Sequence, residues 1–148
     1  MKVDYLDASA WVKRYYQEPG SEAVQALFVE GAVLACASLG PVEVLAALSR
    51  KRKARQISQA QFQRKRLELE VDWQQFIQVQ FSADVQAKAL VLTADLFLRG
   101  ADAVHLASAI VLQQNLPNLE SFRLVCSDNE LLEAAQQMGL TTFNPAFC

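Results

Sequence analysis

Short apolar runs alternate along this 148-residue chain with longer stretches whose apolar residues recur at helical spacing. The runs predict five β-strands, at residues 3–6, 33–37, 76–81, 122–126 and 141–143. The stretches between them predict helices at residues 8–16, 21–30, 42–55, 58–73, 83–97, 102–114 and 129–138. Strands separated by helices favour a parallel sheet with helices on both faces. We therefore expect one domain over residues 1–148, with a three-layer α/β/α fold around a central, mainly parallel sheet.

The composition excludes several classes of protein. Hydrophobic residues make up 52% of the chain and charged residues 20%, which supports a packed core and excludes a disordered chain. Cys36, Cys126 and Cys148 are too few and too scattered for a disulfide scaffold or a zinc site. The acidic N-terminal residues do not fit a signal peptide, and the longest apolar stretch is roughly half the length of a membrane span. We expect a cytoplasmic protein.

The charge is unevenly distributed although the formal net charge is only -2. Eight of the 14 basic residues, and none of the 16 acidic ones, lie between Arg50 and Arg66. This basic helical segment, at about 42–73, is expected either to contact the phosphates of a polyanion or to form a solvated helix face. Arg50, Arg52 and Arg55 are its candidate substrate-binding residues.

Four acidic residues from distant segments are predicted to meet at one edge of the sheet. Asp7 follows the first strand, and Asp128 follows the fourth. Glu43 falls in the first turn of the helix after the second strand, and Asp102 opens a later helix. In open parallel sheets, ligands bind beyond the carboxyl ends of the strands. The four carboxylates are therefore candidates for one binding site.

Such a cluster needs a cation, because carboxylates in one cleft repel each other and lose hydration. Oxygen ligands without nearby pairs of His or Cys select a hard ion such as Mg²⁺ or Mn²⁺. An ion of this kind can orient a phosphodiester, lower the pKa of a bound water and stabilise a leaving oxygen. This pattern therefore points to phosphodiester chemistry.

Each acid also has a purely structural explanation. Asp102 and Asp7 could cap helices, and Glu43 could interact with a helix dipole. Ser127 followed three residues later by Glu130 fits a capping box. Asp7 is the most informative of the four, because an acid inside an apolar run needs a partner.

Each acid also lies in a distinctive segment: Leu6-Asp7-Ala8-Ser9-Ala10, Pro41-Val42-Glu43 before Ala46-Ala47-Leu48, Leu98-Arg99-Gly100-Ala101-Asp102-Ala103-Val104-His105-Leu106-Ala107, and Ser127-Asp128 before Leu131-Leu132. In this order the segments resemble the motifs of PIN-domain nucleases, and the third is the most specific. The match spans essentially the whole chain. The closest subgroup looks like the toxin half of VapBC toxin–antitoxin pairs.

The resemblance implies a metal-dependent endoribonuclease. In it, Asp7, Glu43, Asp102 and Asp128 would hold one or two Mg²⁺ or Mn²⁺ ions, and a water activated by the metal would attack the RNA phosphodiester. It also implies a homodimer and a cognate VapB-like antitoxin whose tail enters the active-site groove.

Residues around the motifs receive supporting roles or stand out as departures. The hydroxyls of Ser9 and Ser127 could support the acids, although Ser9 could equally be an ordinary hydroxyl in the first turn of a helix. Arg99 could contact a substrate phosphate or pair with an acid, but a plain surface role is favoured. Ala8 stands where many members carry Thr, and Cys126 stands where Thr or Ser often occurs. Such changes would alter hydrogen bonds around the acids without removing them.

Three further groups of residues have simpler interpretations. His105, the only histidine, could be a base or a ligand, but a packed helix residue with a satisfied hydrogen bond is favoured. Lys13 and Arg14 are expected to be solvated. An apolar set could line a groove for an antitoxin helix or belong to the core, and the core is favoured; it comprises Val42, Leu45, Ala46, Leu48, Phe62 and Trp73.

Other functions fit the sequence less well. A receiver domain needs an Asp after the third strand and a Lys after the last, and neither is present. A haloacid-dehalogenase phosphatase needs a second Asp two residues after the first, where Ser9 stands. No GxSxG, GxGxxG or Walker motif occurs. The remaining alternative is a catalytically silent PIN-fold module that binds RNA or protein.

Overall fold

A five-stranded parallel sheet forms the centre of the computed structural model, which describes residues 1–147. The strands are β1 (Lys2–Leu6), β2 (Val33–Ala37), β3 (Ile77–Val79), β4 (Ser121–Val125) and β5 (Thr141–Phe143). Their order is β3-β2-β1-β4-β5, and every pair of neighbours is parallel. The predicted three-layer fold with a mainly parallel sheet is confirmed.

Seven α-helices cover the sheet within the described residues. They are α1 (Ala8–Trp11), α2 (Ser21–Val29), α3 (Leu39–Lys53), α4 (Gln59–Trp73), α5 (Ala83–Leu96), α6 (Gly100–Asn115) and α7 (Asn129–Gln137). Short 3₁₀ turns follow at Val12–Arg14 and Pro145–Phe147. None of the helices in residues 1–147 has the length and apolar character needed to cross a membrane.

Strand alternation divides the core between the two faces of the sheet. Val3 and Tyr5 pack with residues of α5, α6 and α7 on one face. Leu6 and Cys36 pack with residues of α1, α3 and α4 on the other. Because successive side chains of a strand point to opposite faces, β1 contributes to both clusters and lies at the centre of the fold.

The side of the sheet on which strands are added changes between β1 and β4. From β1 the chain proceeds to β2 and β3 on one side, and later to β4 and β5 on the other. The Asp7 backbone N–H donates to the Val125 carbonyl at 3.2 Å, which fixes the loop after β1 beside the end of β4. This is the switch point at which parallel sheets open a ligand cleft.

Two helices begin earlier than the sequence predicts, and the shifts change the local setting of two acids. Because α3 begins at Leu39, Pro41 is its third residue rather than its first. Proline is tolerated there, because the first N–H groups of a helix have no intrahelical partner. Glu43 consequently lies in the second turn, which weakens its explanation as a dipole partner. Because α6 begins at Gly100, Asp102 lies inside its first turn and is not its cap.

The first helix and the third strand are shorter than predicted. The helix expected at 8–16 is α-helical only over Ala8–Trp11 and then tightens into the 3₁₀ turn. The strand expected at 76–81 pairs over Ile77–Val79 alone. It lies at the edge of the sheet, so β2 is its only neighbour.

Gly40 allows α3 to lie close to the sheet. A Cβ atom at this position would lie 2.3 Å from the Cys36 Sγ and 3.4 Å from Cζ3 of Trp11. Both contacts belong to fully buried side chains that have little room to move. The missing side chain therefore lets α3 approach β2, and Glu43 follows one turn later.

We predict that Gly40→Ala destabilises the fold by about 1–3 kcal/mol, the usual range for overpacking a core. Gly100→Ala is the control, because a Cβ there meets no atom within 4 Å. Its effect should stay within about 0.5 kcal/mol. Urea unfolding of both variants measures the difference, and equal stability of Gly40→Ala and wild type would contradict the close packing of α3.

Candidate active site

Asp7 is a buried carboxylate held by neutral donors. As the N-cap of α1, its Oδ1 accepts from the Ala10 N–H at 3.0 Å. The Ser9 hydroxyl lies 2.7 Å from Oδ1 and 2.9 Å from Oδ2. Burial raises the pKa of Asp7, an effect that His105 and these hydrogen bonds partly offset. The capping role is therefore real, but it leaves the negative charge without a close cation.

Ser9 also joins the loop after β1 to the loop after β4. Its Oγ accepts from the Ser127 backbone N–H at 3.1 Å while its own hydroxyl donates to Asp7. The Ser127 hydroxyl donates instead to Oδ1 of Asn144, at 3.2 Å. Ser9 thus contacts a candidate acid directly, whereas Ser127 supports the site through its backbone.

Asp128 uses its two carboxylate oxygens for different purposes. Oδ1 caps α7 by accepting from the N–H groups of Glu130, at 2.9 Å, and Leu131, at 3.2 Å. The capping box predicted for Ser127 is therefore wrong, because the cap lies one residue later. The second oxygen, Oδ2, faces the cleft and accepts from Arg99.

Arg99 joins Asp102 to Asp128. Its Nη2 lies 2.8 Å from Oδ2 of Asp128 and 3.2 Å from Oδ2 of Asp102. Burial and the negative charge of Asp128 raise the pKa of Asp102, and Arg99 opposes this shift. The Arg99 side chain is 72% exposed, against 13% for that of Asp102. Two carboxylates from separate segments therefore share one exposed cation.

Glu43 contacts the only histidine of the chain. Its Oε1 lies 2.5 Å from Nε2 of His105, whose Nδ1 lies 2.8 Å from the Tyr5 hydroxyl. Burial lowers the pKa of His105, but Tyr5, Cys36 and Glu43 outweigh this effect and raise it well above its ordinary value. The residue is packed and hydrogen-bonded as expected, and its partner is a candidate acid.

The four acids are linked through His105 and Arg99 without forming a complete chelate. His105 lowers the pKa of both Asp7 and Asp102 in addition to contacting Glu43. Within residues 1–147, no group of three or more His, Cys, Asp or Glu side chains is arranged to hold a metal ion. The arrangement brings Asp102 and Asp128 together around Arg99, while Asp7 and Glu43 are held separately beside them.

The sequence model of the family described as PIN domain matches residues 5–137, almost the whole of the described chain. The chain belongs to the PIN-domain family. Two relatives from Mycobacterium tuberculosis, the ribonucleases VapC45 and VapC49, are each 37% identical to it over 115 residues. The alignment covers 74% of this chain and 76% of each relative. The resemblance of the four motifs to this family is confirmed.

Solved structures share this PIN fold along nearly the whole chain. A toxin–antitoxin complex from Klebsiella pneumoniae has a TM-score of 0.66 at 17% identity, covering 96% of this chain and 97% of that one. VapBC2 from Rickettsia felis, bound to a DNA fragment from its promoter, has a TM-score of 0.66 at 18% identity. The match covers 96% of this chain and 98% of the Rickettsia chain.

The basic segment of the PIN domain begins about two turns of α3 beyond Glu43. Arg50 is seven residues beyond Glu43 on α3, or about 10 Å at 1.5 Å per residue. Arg50 and Arg55 are exposed, whereas the Arg52 guanidinium stacks on Phe62 at 4.0 Å. The structure therefore leaves Arg50 and Arg55 open to a ligand but does not bring any of the three arginines to the acids.

The prediction that Lys13 and Arg14 are solvated is wrong. Lys13 is buried, and its Nζ lies 3.0 Å from Oε1 of Glu18. Arg14 donates through Nε and Nη2 to both carboxylate oxygens of Asp72, at 2.7 and 3.2 Å. These pairs anchor the 3₁₀ turn after α1 to its surroundings.

Most of the predicted apolar set belongs to the core. Leu48 and Phe62 are buried, and Leu45 and Trp73 pack against the same cluster. Val42 and Ala46 lie outside this cluster: 66% of Val42 is exposed, and Ala46 is half-buried. The core interpretation is therefore confirmed for the buried members of the set.

The sequence did not reveal that Tyr5 is hydrogen-bonded to His105 and that His105 contacts a candidate acid. Weak signals were present: Tyr5 lies in the strand that ends one residue before Asp7, and His105 follows Asp102 by three residues along a helix. The second spacing places His105 on the same side of α6 as Asp102. These signals do not reveal the contact between His105 and Glu43, which are 62 residues apart.

We predict opposite effects on stability for Asp7→Asn and Asp4→Asn. Asn at residue 7 still accepts from Ala10 but removes a buried charge whose pKa is raised by burial. This variant should be more stable than wild type above the raised pKa. Its advantage should disappear as the pH falls below the ordinary pKa of Asp, where wild-type Asp7 is neutral.

Asp4→Asn is the matched control, because buried Asp4 accepts two hydrogen bonds from Arg123, at 2.8 and 3.1 Å. It should lose about 1–3 kcal/mol, as expected when a hydrogen-bonded charge pair is broken. Chemical unfolding at several pH values measures both effects. Destabilisation by Asp7→Asn at pH 8 would contradict the cost assigned to the Asp7 charge.

Proposed function

We propose that this chain is a metal-dependent endoribonuclease and the toxin component of a type II toxin–antitoxin system. Its membership of the PIN-domain family and its similarity to ribonucleases named VapC support this proposal. The observation that carries it is the pair Asp102 and Asp128, which share one exposed cation at the switch point of the sheet. A cleft built around a positive charge suits phosphodiester chemistry.

The donor chemistry fits a hard divalent cation. The four acids offer only carboxylate oxygens, which Mg²⁺ and Mn²⁺ prefer. Asp102 and Asp128 would hold the ion, with Asp7 and Glu43 completing its surroundings. When bound, Mg²⁺ or Mn²⁺ supplies a lowered pKa for a coordinated water and charge stabilisation for the leaving oxygen.

The protein residues would orient the acids and the substrate. Ser9 and Ala10 hold the Asp7 carboxylate by hydrogen bonds to both of its oxygens. Arg99 is exposed and tied to the cleft through Asp102 and Asp128. With those acids neutralised in the loaded site, the Arg99 guanidinium would be free to donate two parallel hydrogen bonds to a phosphate of the RNA.

We propose three partners for the chain. RNA would extend from the acids toward the exposed Arg50 and Arg55. A cognate VapB-like antitoxin would silence the site, and two copies of the chain would form a homodimer. The similar structures that contain a toxin–antitoxin complex support the antitoxin.

A catalytically silent PIN-fold module that binds RNA or protein is the second candidate. The observation that favours it is that no group of three or more His, Cys, Asp or Glu side chains in residues 1–147 is arranged to hold a metal ion, while Arg99 forms salt bridges with Asp102 and Asp128. In such a module the salt bridges would be permanent and structural.

We predict that the purified chain cleaves cellular RNA in Mn²⁺ or Mg²⁺ and that Asp102→Asn lowers the rate at least a hundredfold. EDTA should abolish the activity, because the acids would lose their cation. Asp84→Asn is the control, since Asp84 is an exposed acid beside Asn115, at the far end of α6 from Asp102. Gel analysis of timed digests gives the rates.

Each outcome of that assay distinguishes the candidates. Metal-dependent cleavage that survives Asp84→Asn and fails in Asp102→Asn supports the nuclease. If neither protein cleaves and calorimetry detects no Mn²⁺ binding, the chain is the silent module.

We predict that Arg50→Ala with Arg55→Ala weakens RNA binding equally for unrelated sequences. The negative slope of log K against log salt concentration should become shallower by about 1.4, since each phosphate contact with a single strand contributes about 0.7 to its magnitude. Binding is measured by fluorescence anisotropy in the Asp102→Asn background. Lys2→Ala with Lys88→Ala removes the same charge elsewhere, and an equal loss in this control would contradict the role of the basic segment.

A further inference from the structure

The side chains of Tyr5, His105 and Glu43 form a hydrogen-bonded relay that begins in the interior of the sheet and ends at Glu43. Tyr5 is the fourth of the five residues of β1 and is fully buried. Its hydroxyl contacts Nδ1 of His105, whose Nε2 contacts the carboxylate of Glu43. His105 is 2% exposed, whereas the Glu43 side chain is 30% exposed. The relay therefore links a buried strand to a partly exposed acid.

The partners of His105 indicate that Nε2 is the donor to Glu43, because an ionised carboxylate can only accept. The Ala37 backbone N–H donates to the Tyr5 oxygen at 3.1 Å, so the Tyr5 hydroxyl proton remains available for Nδ1 of a neutral ring. Nε2 then carries the proton of the neutral ring and donates to Glu43. In a charged ring both nitrogens carry protons, so Nε2 donates to Glu43 in either form.

We propose that Tyr5 and His105 are positioning residues that hold the Glu43 carboxylate in one orientation for a divalent cation. This inference rests on the proposed function, in which Glu43 contributes to the metal site. A free Glu side chain samples many rotamers and loses that freedom when it binds an ion. A fixed donor removes part of this entropic cost in advance, as outer hydrogen bonds do at other metal sites.

The surrounding packing supports a positioning role. The Cys36 side chain lies next to Gly40, and the closeness of α3 to β2 that Gly40 permits brings Glu43 toward His105. Apolar residues in place of Tyr5 and His105 would fill the same core without two buried polar groups. Packing alone therefore does not explain the two polar residues, and the ring nitrogen of His105 that does not contact Tyr5 contacts Glu43.

The first test measures the relay in the protein without metal or substrate. Because His105 is the only histidine, the untagged chain gives a single imidazole in long-range ¹H–¹⁵N spectra. The proposal predicts a slowly exchanging proton on Nε2 at pH 7.5, which exchanges faster in Glu43→Ala. A neutral ring with its proton on Nδ1 and none on Nε2 would overturn the relay.

The second test measures Mn²⁺ affinity by calorimetry. His105→Leu keeps an apolar side chain of similar size but loses the donor, and it should weaken binding about tenfold. His105→Gln keeps an N–H near the Nε2 position and should stay within about threefold of wild type. Tyr5→Phe leaves Nδ1 without its partner and serves as a second variant, with circular dichroism confirming that each variant is folded.

A double-mutant cycle separates positioning from a general structural effect. In the Glu43→Ala background, His105→Leu should leave the Mn²⁺ affinity unchanged, because no carboxylate remains to be positioned. An equal loss in both backgrounds, or wild-type affinity for His105→Leu, would overturn the proposal. If the ring spectra show the Nε2 donor but wild type binds no Mn²⁺, the metal-dependent function fails while the hydrogen-bonded relay remains.

Discussion

Buried negative charge at the carboxyl edge of the sheet is the constraint on which the site depends. Asp7 and Asp102 lose hydration there, and burial raises the pKa of each. Like charges in one cleft destabilise the fold unless cations or hydrogen-bond donors compensate. Arg99 compensates Asp102 and Asp128, His105 contacts Glu43, and Ser9 donates to Asp7. The remaining negative charge is what the proposed divalent cation would neutralise.

The fold provides this edge through topology and close packing. After β1 the chain adds β2 and β3 on one side of the sheet, and after β4 it adds β5 on the other. At such a switch point, the loops that follow β1 and β4 meet beside an open cleft. Ser9 joins the two loops, and Gly40 lets α3 lie close enough for Glu43 to reach His105. The scaffold residues thus have a direct part in the chemistry, because they determine where the carboxylates lie.

Local signals in the sequence predicted most of the fold and placed two of the candidate acids at the ends of strands. Apolar runs located all five strands, and the ends of strands located Asp7 and Asp128. Details that depend on distant partners were not predictable. Arg14 meets Asp72 across 58 residues, and Glu43 meets His105 across 62. Even the cap of α7 differs by one residue from the expected one, because Ser127 bonds to Asn144 instead. A single sequence carries periodicity, but not these pairings.

The proposed function requires that Asp102 and Asp128 form a cation site in which a divalent metal ion displaces Arg99. A crystal structure of the chain grown with Mn²⁺, with anomalous scattering recorded, is the decisive measurement. We expect an anomalous peak between the carboxylates of Asp102 and Asp128, with Arg99 turned away from both. A map at saturating Mn²⁺ with no such peak, and with Arg99 still joining the two acids, would contradict it.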